Sequence, residues 1–96
     1  MDSVQAIKLI KELITEIFRQ DGIDLEIADD MPLLGGYSAL NSMKLVELCL
    51  ELEDKASDIE FEFDWTSDTA MSKSRSIFRS IQSLAKEFVD QYKAQQ

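Results

Sequence analysis

The sequence predicts an all-α protein, a small bundle of three main helices plus one short minor helix, in a single domain spanning residues 1–96. Two observations carry this. Apolar residues recur at helical spacing in three separate stretches, and the one segment that alternates like a strand has no second segment to pair with. Length sets the scale, because 96 residues support one modest core. Composition agrees: 45% hydrophobic and 30% charged residues suit a folded chain rather than a disordered one.

In chain order, Ser3 is placed to cap a first helix from Val4 to Arg19 or Gln20. Val4, Ile7, Ile10, Leu13, Ile14, Ile17 and Phe18 form its apolar face, and Lys8, Lys11, Glu12, Glu16 and Arg19 fall mostly opposite. The Asp21-Gly22 pair stops it. A long connection follows, with Pro32, Gly35 and Gly36, which Ile23, Leu25, Ile27, Met31, Leu33 and Leu34 are expected to tie to the core; Asp29-Asp30 reads as a turn or cap. The acidic residues of this loop lack the alternation, central glycine and closing glutamate of a calcium-binding loop.

A second helix is expected from Ser42 to Lys55. Leu45, Leu48, Cys49 and Leu52 share its core face, while Met43, Val46, Glu47, Leu50 and Asp54 lie to the side or opposite. Exposed apolar residues set among carboxylates mark contact surfaces. The segment Ile59 to Trp65 alternates apolar and acidic residues and, with no strand to join, is expected to be an extended link pressing Ile59, Phe61 and Phe63 onto the helices. The polar stretch from Thr66 to Ser74 is expected to hold a short helical turn around Ala70-Met71. A last helix is expected from Ser76 to Tyr92, burying Ile77, Phe78, Ile81, Leu84, Ala85, Phe88, Val89 and Tyr92.

Charge and chemistry narrow the function. Nineteen acidic against ten basic residues give a net charge of −9, which disfavours nucleic acid and anionic membranes and favours partner proteins with basic patches. Histidine is absent and Cys49 is the only cysteine, so no Cys/His or Ser/His pair can form, and an enzyme activity or a histidine-ligated metal is not expected. Cys49 falls on the core stripe, as a buried small hydrophobe would. The apolar runs are too short for a bilayer span and Met1-Asp2-Ser3-Val4 lacks the features of a signal peptide, so a cytoplasmic, monomeric protein is expected.

The series Leu34-Gly35, Asn41-Ser42-Met43, Leu45-Val46-Glu47-Leu48 and Leu52-Glu53 resembles the acyl carrier protein family, whose signature is Asp-Ser-Leu opening an acidic second helix. The resemblance spans essentially the whole chain. Asp68-Thr69-Ala70-Met71-Ser72, Ser76-Ile77-Phe78-Arg79 and Ser83-Leu84-Ala85 are similar to a divergent, specialised subgroup. The resemblance implies that Ser42 carries 4'-phosphopantetheine transferred from coenzyme A, that the arm holds acyl groups as thioesters, and that the carrier has no catalytic residues. It implies as partners a phosphopantetheinyl transferase and the loading, condensing or acyltransferase enzymes of a fatty-acid or specialised lipid or polyketide pathway. These are expected to dock on Asn41, Met43, Val46, Glu47, Leu50, Glu53 and Asp54.

Two residues depart from the family pattern. Asn41 replaces the aspartate before the serine, keeping its size and hydrogen-bonding oxygen but not its charge, and Lys44 is expected to place a positive charge on the docking face. A rival serine, Ser38, stands in Gly35-Gly36-Tyr37-Ser38, which resembles peptidyl carrier domains. Helical phase favours Ser42: six, seven and ten residues on from it are the apolar Leu48, Cys49 and Leu52, whereas six on from Ser38 is Lys44. An unmodified acidic adaptor using the same surface is the alternative from another class. Lys73, Arg75 and Arg79 concentrate positive charge in an acidic chain; surface pairing with nearby carboxylates is the ordinary reading, and a partner or phosphate contact is the minority one.

Overall fold

The computed structural model describes residues 1–24, 26–33 and 40–96, with Ser42 described through its backbone only. It contains α1 (Ser3–Gln20), α2 (Ser42–Asp58), α3 (Asp68–Ser72), α4 (Ser74–Ile77) and α5 (Ile81–Ala94), and no strand among the described residues. The protein is a small helical bundle in which α1 packs on both α5 and α2, and α4 packs on α3 and α5.

The α1 start is set one residue earlier than Ser3. Asp2 is the cap: its carboxylate accepts from the Gln5 N–H at 2.8 Å, and the Gln5 side chain accepts from the Asp2 N–H at 3.0 Å. Ser3 is already helical, so its hydroxyl cannot take that role. At the other end Gly22 adopts φ +72°, the Gly22 N–H donates to Arg19 O and the Ile23 N–H to Phe18 O, which satisfies two orphan carbonyls. The expected stop at Asp21-Gly22 is where the helix ends.

α2 continues to Asp58, three residues beyond the expected Lys55. It closes with the same hydrogen-bond pattern as α1, Glu60 N–H to Ser57 O and Phe61 N–H to Ala56 O, but the left-handed residue is Glu60 at φ 65°. A non-glycine residue there costs about 1–2 kcal/mol. Burial of the next residue offsets it, since Phe61 is 4% exposed and packs edge-on against Phe88 and Tyr92 at centroid distances of 5.0 and 5.5 Å.

The alternating segment after α2 is extended and buries Phe61 and Phe63, as expected. Its backbone is paired by side chains rather than by a strand. Gln95 accepts from the Glu62 N–H at 2.9 Å and donates to Glu62 O at 2.8 Å; Gln91 does the same to Asp64 at 2.6 and 2.7 Å. Two amides four residues apart on α5 thus meet every second residue of the link, matching a helix repeat to a strand repeat.

The last helix begins at Ile81 rather than Ser76. Ile77 and Phe78 are buried as expected, but they sit on α4 and its C-cap, and the chain turns before Ser80 starts a new helix. The Ser80 hydroxyl accepts from the Ser83 N–H at 3.2 Å and the Ser83 hydroxyl accepts from the Ser80 N–H at 2.9 Å. The long connection completes this end: Ile81 N–H donates to Met31 O and Gln82 N–H to Asp29 O, and the Asp29 carboxylate pairs with Lys11 at 2.7 Å. Leu33 is fully buried and Ile27 and Met31 are partly so, while Ile23, expected on the core, is 40% exposed. Leu25 and Leu34 lie outside the described residues.

Candidate functional site: the start and outer face of α2

Ser42 is the first residue of α2, and Asn41, not Ser42, is its N-cap. Asn41 holds an extended backbone (φ −88°, ψ 175°), its side-chain oxygen accepts from the Lys44 N–H at 2.8 Å, and its carbonyl accepts from the Leu45 N–H at 3.0 Å. Local chemistry explains the choice, because asparagine is among the best N-caps and leaves the next residue free of that duty. The Met43 N–H has no acceptor among the described residues, so the first turn keeps an unsatisfied donor at the positive end of the helix dipole.

From there α2 divides cleanly. Leu48, Cys49, Leu52 and Ala56 are buried and Leu45 is partly buried against the core. Met43, Val46 and Leu50 are exposed by 76%, 43% and 49%, and Asn41, Glu47, Glu53 and Asp54 are exposed beside them. At 3.6 residues per turn, the six positions from Met43 to Asp54 fall within an arc of roughly 120°. The structure therefore brings six of the seven expected docking residues to one solvent face, with the seventh, Asn41, exposed at the N-cap. Ser38 and its Gly35-Gly36 context lie outside the described residues.

Lys44 departs from its expected place. Its ammonium pairs with Asp21 and stands 5.7 Å from the Phe18 ring centroid, and its side chain is only 17% exposed. Asp21 is the C-cap of α1, where the helix dipole disfavours a carboxylate, so the lysine neutralises an awkward charge and leaves the docking face uniformly acidic. No local pattern points to this pairing, since the partners are 23 residues apart. Beside the face, α1 and α2 enclose a shallow groove of about 410 Å³ floored by Leu13, Ile17 and Leu50 and edged by Glu16, Glu47 and Glu51, a feature that sequence reading missed.

Cys49 is fully buried, and burial, with a smaller contribution from the Glu53 charge, pushes its thiol up to about 12. It is a packing residue in the form present at neutral pH. Among the described residues no cluster of three or more Cys, Asp or Glu side chains is arranged to hold a metal ion, and no helix is long and apolar enough to cross a membrane. No protein-family model, curated protein or solved structure matches the chain.

Proposed function

We propose that the chain is an acyl carrier protein, modified with 4'-phosphopantetheine on Ser42 and docking to pathway enzymes through the outer face of α2. The observation that carries this reading is the coincidence at one helix end. A serine stands at the first helical position, relieved of capping by Asn41, directly before a face where Met43, Val46 and Leu50 alternate with Glu47, Glu53 and Asp54. A phosphodiester on Ser42 is compatible with the residues present, because the helix dipole and the Met43 N–H, which has no acceptor among the described residues, both favour an anion at this end. When attached, the arm supplies the thiol that carries the acyl group. The chain supplies the anchor, the neutral Asn41 cap in place of a charged one, and an apolar contact ringed by charge that suits a basic patch on a transferase or acyl-handling enzyme. Tethering then gives a high local concentration of substrate at each enzyme with no catalytic residue in the carrier.

The test is the intact mass of the full chain after incubation with coenzyme A and phosphopantetheinyl transferases of differing specificity, including that of the source organism. A gain of one phosphopantetheine that Ser42→Ala abolishes and Ser38→Ala leaves intact is the expected result. Loss with Ser38→Ala alone would move the site and favour a peptidyl carrier. No gain with any transferase would overturn the carrier reading in favour of an unmodified adaptor.

A further inference from the structure

The acidity of the chain is not uniform. Between Asp68 and Glu87 there is no carboxylate, and this stretch holds Lys73, Arg75, Arg79 and Lys86. Lys73, Arg75 and Arg79 are the only basic residues of the chain with no Asp or Glu within four positions in sequence. Folding does not supply the missing partners. The ion pairs among the described residues engage Lys11, Arg19, Lys44 and Lys86, whereas Lys73, Arg75 and Arg79 are exposed and enter none. The expected pairing of these three with nearby carboxylates is therefore not what the structure has.

The same edge carries an apolar side chain. Met71 is 56% exposed, on a segment whose neighbours Ala70, Ile77 and Phe78 are buried. Met71 lies on α3, Arg75 on α4 and Arg79 just past the Phe78 C-cap of α4, so the exposed methionine and the cations follow one another along this short stretch of chain. The short helices are pinned rather than loose. Ser67 caps α3 by accepting from the Ala70 N–H at 3.1 Å, and Asp64 accepts from the Ser67 hydroxyl and from the Ser67 and Thr66 N–H groups, bonds that, the hydroxyl's first, hold its carboxyl below the usual carboxylate range. An adaptable methionine beside three unpaired cations on a braced segment is the composition of a contact surface.

We infer that the α3–α4 edge is a docking face for a carboxylate-bearing surface of a partner protein, distinct from the acidic face of α2. Charge complementarity selects the occupant: guanidinium groups take carboxylates bidentately, and Arg75 and Arg79 have none of their own. An anionic bilayer is disfavoured by the net charge of −9 and because Met71 is the only exposed large apolar side chain that this edge offers to insert. A second copy of the chain is disfavoured by like-charge repulsion between two chains of net charge −9. A partner that reads both faces must present basic and acidic patches in register.

The test is a two-dimensional amide NMR titration of the full chain with a soluble helical probe peptide bearing glutamates at four-residue spacing around one leucine, and with its lysine-for-glutamate counterpart. The glutamate peptide is expected to give saturable shifts confined to residues 71–79, with affinity weakened about tenfold or more in Arg75→Glu/Arg79→Glu and weakened by added salt. Arg75→Lys/Arg79→Lys is expected to fall between, and unchanged signals of the buried Ile14 on α1 and Leu48 on α2 report that each variant folds. Four results would overturn the inference: shifts spread over the chain, unaltered binding by the charge-reversed variant, binding of the edge to anionic phospholipid vesicles but not to the peptide, or concentration-dependent self-association through these residues.

Discussion

Two helix N-termini in this molecule are finished in different ways. At α5 every donor of the first turn is used: Ile81 and Gln82 donate to the carbonyls of Met31 and Asp29, and Ser83 donates to the Ser80 hydroxyl. At α2 Asn41 takes the Lys44 N–H, while the Met43 N–H faces no acceptor among the described residues. The first end joins the connection to the core, and the second is left available. An N–H with no acceptor among the described residues, at the positive end of a helix dipole, is where an added anion is stabilised, as the proposed modification of Ser42 would require.

Breaking the closed end is expected to have the largest effect on stability. Ser80→Ala with Ser83→Ala removes the reciprocal cap and the Ser83 hydroxyl bond to Ile77 O, and is expected to cost about 2 kcal/mol in denaturant unfolding. A cost near zero would mean that the loop carbonyls alone close this end. At the open end Asn41→Ala is expected to cost about 1 kcal/mol, since one capping bond is lost. Asn41→Asp sharpens the comparison, because it keeps the cap, leaves stability within about 0.5 kcal/mol, and restores the charge that a general transferase can read. Faster modification of Asn41→Asp than of the wild type by such an enzyme is the expected kinetic result. The smallest effect belongs to Lys44→Met, which loses the partly exposed pair with Asp21 and is expected to cost about 0.5 kcal/mol. Its affinity for a basic partner should stay the same, since Lys44 is folded toward α1 rather than toward the docking face.

What could be read from the sequence follows the range of the interactions involved. The core stripe of α2 and the stop at Gly22 are local and were legible, the one from helical spacing and the other from the residue that adopts φ +72° without strain. The true end of α2 was not, because Glu60 stands where a glycine is expected and the compensation comes from Phe61 packing on α5. The start of the last helix was misplaced for a related reason: Ile77 and Phe78 are in phase with Ile81, so periodicity runs through a break that is fixed by carbonyls some fifty residues earlier in the chain. The alternation from Ile59 to Trp65 reports an extended backbone only for Phe61 to Asp64, since Ile59 is the C-cap of α2 and Glu60 is left-handed, and nothing local shows that Gln91 and Gln95 pair with it. At the site, phase alone put Met43, Val46, Glu47, Leu50, Glu53 and Asp54 on one face, whereas the inward turn of Lys44 depends on Asp21 and Phe18.

The most direct measurement is amide hydrogen exchange at these two helix starts, in the chain as expressed and after treatment with coenzyme A and transferase. Ile81 and Gln82 should be protected in both forms, and the Met43 amide should exchange near the rate of an unstructured peptide until Ser42 is modified, then slow and shift. Protection of Met43 before modification, or an unchanged Met43 amide in a chain shown by mass to carry the arm on Ser42, would contradict the account.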